Sequence, residues 1–131
     1  MRRALYFSLF HLFAFLLLGC TASVPESYTE SQELPKVYPD VIDVTVPLNI
    51  APLTFQLDEE ADGMIARYQR DGIEVVCEGK MQPSMSEWRE LTTKAGDINV
   101  DVFVKHGDQW THNQPFAIHV SPDSIDSYLS Y

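Results

Sequence analysis

Two histidines and an aspartate fall within seven residues, His106-Gly107-Asp108-Gln109-Trp110-Thr111-His112, with His119 beyond. Imidazole and carboxylate are ligands that zinc accepts, so His106, Asp108 and His112 are the candidate metal set, suited to a small metal-dependent hydrolase. Their spacing argues for a polar turn instead. His106 and His112 flank a hairpin loop, no third firm ligand has a fixed position, and Gly-Asp is what a turn between strands requires. The carboxylates of Asp58-Glu59-Glu60-Ala61-Asp62-Gly63 look like a calcium loop but lack the spacing of an EF-hand, and read as a solvated loop between strands. Cys77 closes the strand-like run Gly72-Ile73-Glu74-Val75-Val76-Cys77, where a small buried residue outweighs a nucleophile. No Gly-x-Ser-x-Gly and no glycine-rich phosphate loop occurs. The aromatics Trp88, Trp110, Tyr68, Tyr128 and Tyr131 could stack on a sugar, and Trp110, beside the hairpin loop, is the candidate contact of a glycan-binding module. Trp88 stands at helical spacing with Leu91 and reads as core.

The other thiol has a sharper context. Arg2 and Arg3 precede a run from Ala4 to Leu18 interrupted only by Ser8 and His11, and the run ends Leu17-Leu18-Gly19-Cys20. A charged start, a short apolar segment and small residues at the cut are the parts of a secretory signal. The run is shorter than the ~20 residues needed to span a bilayer. Its end resembles the lipobox of lipoprotein signal peptidase. That resemblance implies diacylglycerol on the Cys20 thiol, cleavage before Cys20 and acylation of the new amine. Residues 1–19 are then a signal peptide, and the acyl chains on Cys20 a durable membrane anchor. The alternative is an ordinary signal or N-terminal anchor in which Cys20 is incidental. Removing Cys20 from the count leaves Cys77 alone, so no disulfide can form within residues 20–131.

All 19 acidic residues of the 131 follow the cut, against seven of the nine basic ones, a net charge of −12 beyond it. Nucleic acid needs clustered Lys and Arg, and so does adhesion to anionic lipid, so neither partner fits. The expected attachment to the membrane is through the lipid on Cys20. No cofactor is called for.

Residues 20–37 are rich in Ser, Thr, Glu and Pro and are expected to form a flexible tether. From residue 38 to 131 a β-rich domain is expected. Val41 to Val46 is β-branched and lies between Pro39 and Pro47, while Leu53, Phe55 and Leu57 alternate with polar residues. Met64–Tyr68 and Ile73–Cys77 flank Arg70-Asp71-Gly72, a hairpin signal. Ile98, Val100, Val102 and Val104 mark the clearest strand, and Phe116–Val120 another. Ser84 and Glu87 form a capping box for a short helix that would carry Trp88, Leu91 and Ala95 and stop at Gly96. Ser121-Pro122 would start a second, with Ile125, Tyr128 and Leu129 as its apolar stripe. These elements predict a mainly β fold: a small antiparallel β-sandwich with one or two short helices.

Several segments of this domain are also similar to one family. Pro47-Leu48-Asn49-Ile50-Ala51-Pro52-Leu53-Thr54-Phe55, Glu87-Trp88-Arg89-Glu90-Leu91, Trp110 with Pro115-Phe116, and Ile125-Asp126-Ser127-Tyr128-Leu129-Ser130-Tyr131 carry the likeness. Residues 38–131 resemble the N-terminal domain of Bacteroidetes lipoproteins whose remainder is a TolB-like β-propeller. The family continues into that propeller where this sequence stops, which implies a form shortened at its C-terminal end. The resemblance supplies architecture and address more than activity. The expectation is a lipid-anchored interaction domain without catalytic activity. It would sit on the periplasmic or surface side of the outer membrane and bind a protein or glycan partner.

Overall fold

Asp71 and Gly72 have positive φ (47° and 81°), the backbone a tight two-residue hairpin demands. They join strand β5 (Gly63–Arg70) to β6 (Ile73–Glu78), with Arg70 opposite Ile73. The computed structural model describes residues 22–79 and 82–125, and within them the domain is mainly β. The first strands are β1 (Thr29–Glu30), β2 (Val37–Tyr38), β3 (Thr45–Pro47) and β4 (Gln56–Leu57). After β6 come helix α1 (Met85–Leu91) and strands β7 (Gly96–His106), β8 (Gln109–His112) and β9 (Phe116–Ser121).

β7 organises the sheet. One edge pairs antiparallel with β5; the other pairs with β9 along residues 96–100 and with β8 along residues 103–106. β8 and β9 therefore run as one strand broken at residues 113–115, where Pro115 can donate nothing to the ladder. Outside them β1 pairs parallel with β8 and β3 parallel with β9, so the seven-stranded sheet is mixed rather than purely antiparallel. β2 and β4 form a separate antiparallel ribbon. Most of the Val41–Val46 run is turn and coil, with Asp43 at φ 57°, yet Val41 and Val46 are buried. Phe55 likewise reaches the core from outside any strand.

One sheet face carries Ala66, Tyr68, Val75, Ile98, Val100, Val102 and Ile118, and the segment from Val41 to Phe55 packs on it with α1. Trp88, 1% exposed, is the largest fully buried side chain, and its indole N–H donates to the Ile50 carbonyl at 2.9 Å. The capping box forms as the Ser84 and Glu87 pattern requires: Glu87 N–H donates to Ser84 Oγ, and Ser84 N–H to Glu87 Oε2. The helix ends sooner than Ala95. Thr92 and Thr93 hydroxyls bond back to the Trp88 and Arg89 carbonyls. Arg70, buried, donates to the carbonyls of Leu91 (2.9 Å) and Ala95 (2.6 Å). Gly96, at φ 132°, opens β7 instead of stopping the helix, and a Cβ there would lie 2.9 Å from Arg70 Nη2.

Residues 28–37, expected within the tether, lie on the domain. β1 extends the sheet, Pro35 is buried, and the Lys36 carbonyl accepts from Asp58 N–H at 2.8 Å. Low apolar content misleads here because Tyr28, Pro35 and Val37 pack on the domain and backbone bonds hold the stretch between them. Residues 122–125 are not helical; Ser121 Oγ accepts from Asp123 N–H, and Ile125 is held by both amide atoms of Asn49. Cys20 and residues 1–19, expected to be a signal peptide, lie outside the described residues, as do Tyr128, Leu129 and Tyr131. Among those described, no helix is long and apolar enough to cross a membrane.

Candidate functional site

The opposite face of the sheet gathers the ionisable residues. Register places Arg67 beside Asp101 on β5 and β7, and Phe103 beside His112 on β7 and β8. β1 then sets Glu30 against His112. Arg67 donates from Nε and Nη2 to Asp101 Oδ2, both at 3.1 Å. Asp101 Oδ1 lies 2.8 Å from His112 Nε2, and His112 Nδ1 lies 2.8 Å from Glu30 Oε2. The imidazole stacks on Phe103 at 4.6 Å, while Tyr28 meets both rings edge-on. Arg67 also lies over the Phe103 ring.

Asp101 and His112 are both buried, so each polar atom needs a partner, and each carboxylate oxygen and ring nitrogen has one. An Asp–His pair can orient a general base, which then needs a ring nitrogen within about 3 Å of a substrate proton. Here Glu30 occupies that second nitrogen. What the arrangement does as built is join four strands across a sheet edge.

The candidate metal residues are not brought together. His106 and Asp108 are exposed at the end of the β7–β8 hairpin, whose turn is Gly107-Asp108 with Gly107 at φ 60°. The strand alternation that sends His112 to the Phe103 side sends His106 to the other. Among the described residues no group of three or more His, Cys, Asp and Glu is placed to hold a metal ion. In the acidic loop, Asp62 accepts from Gly107 N–H at 2.6 Å and so ties that loop to the hairpin turn. A recess of about 570 Å³ there is lined by Glu59, Glu60, Ala61, Asp62 and His106. His119 lies 2.7 Å from Asp97 and 3.9 Å from Asp43.

Of the aromatic candidates, Tyr68 and Trp88 are fully buried and cannot present a ring to a sugar. Burial also drives the Tyr68 hydroxyl far above the usual phenol range. Trp110 is half-buried, folded over the sheet against Gly63 with the Lys105 ammonium 5.7 Å from its ring. It lines a recess of about 460 Å³ with Tyr28, Asp108 and Gln109. Cys77 packs partly buried against the core; burial, with Glu87 nearby, pushes its thiol up to about 11. That favours the unreactive thiol over the thiolate.

Sequence reasoning missed Arg67, Asp101, Glu30 and Arg70. Asp101 sits among apolar residues in the most regular strand of the chain, on the face that alternation assigns to solvent. Its burial was hidden because the side chains that meet it, Arg67 and His112, come from the neighbouring strands β5 and β8. No protein-family model, curated protein or solved structure matches the chain.

Proposed function

We propose that this chain is a lipid-anchored domain of the cell envelope that acts by binding a protein or glycan partner and not by catalysis. It stands on the periplasmic or surface side of the outer membrane. The observation that carries the reading is the N-terminal order of Arg2-Arg3, the apolar run and Leu17-Leu18-Gly19-Cys20. Acyl chains on Cys20 supply an attachment that the net charge of −12 beyond the cut could not supply electrostatically. The resemblance of residues 38–131 to the N-terminal domain of TolB-like propeller lipoproteins supports the same address. The binding rather than catalytic reading is supported by His112 and Asp101, whose ring nitrogens and carboxylate oxygens already meet Glu30, Arg67 and each other.

The test is metabolic labelling with a radioactive fatty acid in a Gram-negative host. The full chain takes up label and the Cys20→Ala chain does not. Equal labelling of the two overturns the proposal.

A further inference from the structure

The strand that begins the sheet pairs with β8 and is also tied to it through an imidazole. Glu30, whose side chain is 68% exposed, meets His112 Nδ1, and buried Asp101 meets Nε2, both at 2.8 Å. Ionised carboxylates only accept hydrogen bonds. A neutral imidazole has a single N–H, so it satisfies one of the two and turns a lone pair toward the other. The imidazolium donates to both. The charged groups facing the ring are Glu30 from β1 and Asp101 from β7, with Arg67 of β5 behind Asp101; Phe103 and Tyr28 add uncharged rings. With the ring protonated, Glu30, His112, Asp101 and Arg67 alternate in sign and sum to zero. When the ring loses its proton, Asp101 keeps Arg67 and remains buried. Glu30, already in water, is the carboxylate that can leave.

We propose that His112 is a pH-operated latch on the N-terminal strap. Protonated, it holds Glu30 and with it β1 on the edge of β8. Deprotonated, it lets residues 28–32 lift away while the rest of the sheet stays folded. Opening also breaks the bond from Ser31 N–H to the His112 carbonyl, and it stops at Glu33, whose carbonyl is held separately by Gln114 and Asn113. Lifting Tyr28 uncovers Phe103, so release exposes an aromatic surface that the latched domain hides. If Cys20 carries lipid, as proposed above, release also lengthens the tether; the latch itself does not depend on that reading.

Hydrogen–deuterium exchange of the full chain in detergent micelles tests this, with protection corrected for the intrinsic amide rate at each pH. The strap segment 28–32 is compared with β5 and β7 at about pH 5.5 and about pH 9. Strap protection falls on the order of tenfold at the higher pH relative to the sheet, as expected for loss of one charge-assisted bond. Glu30→Gln removes this dependence, because a neutral amide can donate to a bare ring nitrogen or accept from a protonated one. Glu30 is exposed, so the variant folds. His119, beside Asp97 and Asp43, lies elsewhere on the sheet and keeps those partners in the Glu30→Gln chain. Equal strap protection at both pH values overturns the latch, as does a Glu30→Gln chain that loses protection like the wild type.

Discussion

The two faces of the main sheet are built from the same strands and stabilised in different ways. On one, Tyr68, Val100, Val102 and Ile118 meet Trp88, Leu91 and Phe55, and the contacts are almost wholly apolar. On the other, Arg67, Asp101 and His112 form a hydrogen-bonded polar row under Tyr28 and beside Phe103. The first face draws on hydrophobic area, roughly additive in what it covers. The second depends on every partner being present, because a buried charge that loses its partner keeps its desolvation cost. A dry face therefore tolerates change in proportion to volume, while a polar face fails at single residues.

The largest effect should come from Trp88→Ala, which empties the centre of the dry face and removes the bond to Ile50. A loss of about 3–5 kcal/mol is expected, read by urea unfolding followed by circular dichroism. Asp101→Ala tests the other face. It strands Arg67 and His112 together and should cost about 2–3 kcal/mol, less than Trp88 because Arg67 is partly hydrated. A cost below about 0.5 kcal/mol would show that the polar row only decorates the sheet.

The smallest effect is chemical and falls at the rim of the dry face. With its thiol raised from 9.0 to about 11, Cys77 in a Cys20→Ala chain should alkylate at pH 8 about a hundredfold more slowly than a free peptide thiol. Below pH 9.0 the thiol is protonated in folded and unfolded chains alike. As pH rises from there toward 11 the unfolded chain releases the proton first, so the contribution to stability is lost on the alkaline side. Alkylation at the free-thiol rate would show that this rim is wet.

Where local chemistry sets the backbone, the elements follow from sequence. Asp71-Gly72 produces the β5–β6 turn, Ser84 and Glu87 cap α1, and the alternation from Ile98 to Val104 produces β7. The charged site was not legible in the same way. Arg67 and Asp101 stand 34 positions apart, and Glu30 and His112 stand 82 apart, so no local pattern joins them. His112 was visible as a candidate only beside His106 and Asp108, and the two-residue alternation of β7 and β8 separates those partners. Val41 and Phe55 were recognisable as core residues although most of their segment is coil, because burial follows side-chain type even where strand pairing does not.

The proposal for Cys20 rests wholly on sequence, on its Leu17-Leu18-Gly19-Cys20 setting after the apolar run. Turns, caps and strand periodicity are likewise set by neighbouring residues. Only the tertiary structure decided that Thr29 and Glu30 belong to the sheet, that Arg70 ends the helix, and that His112 sits between two carboxylates. Each of these rests on partners brought close by folding, and a hydrogen bond of 2.8 Å between residues 82 positions apart has no trace in local composition.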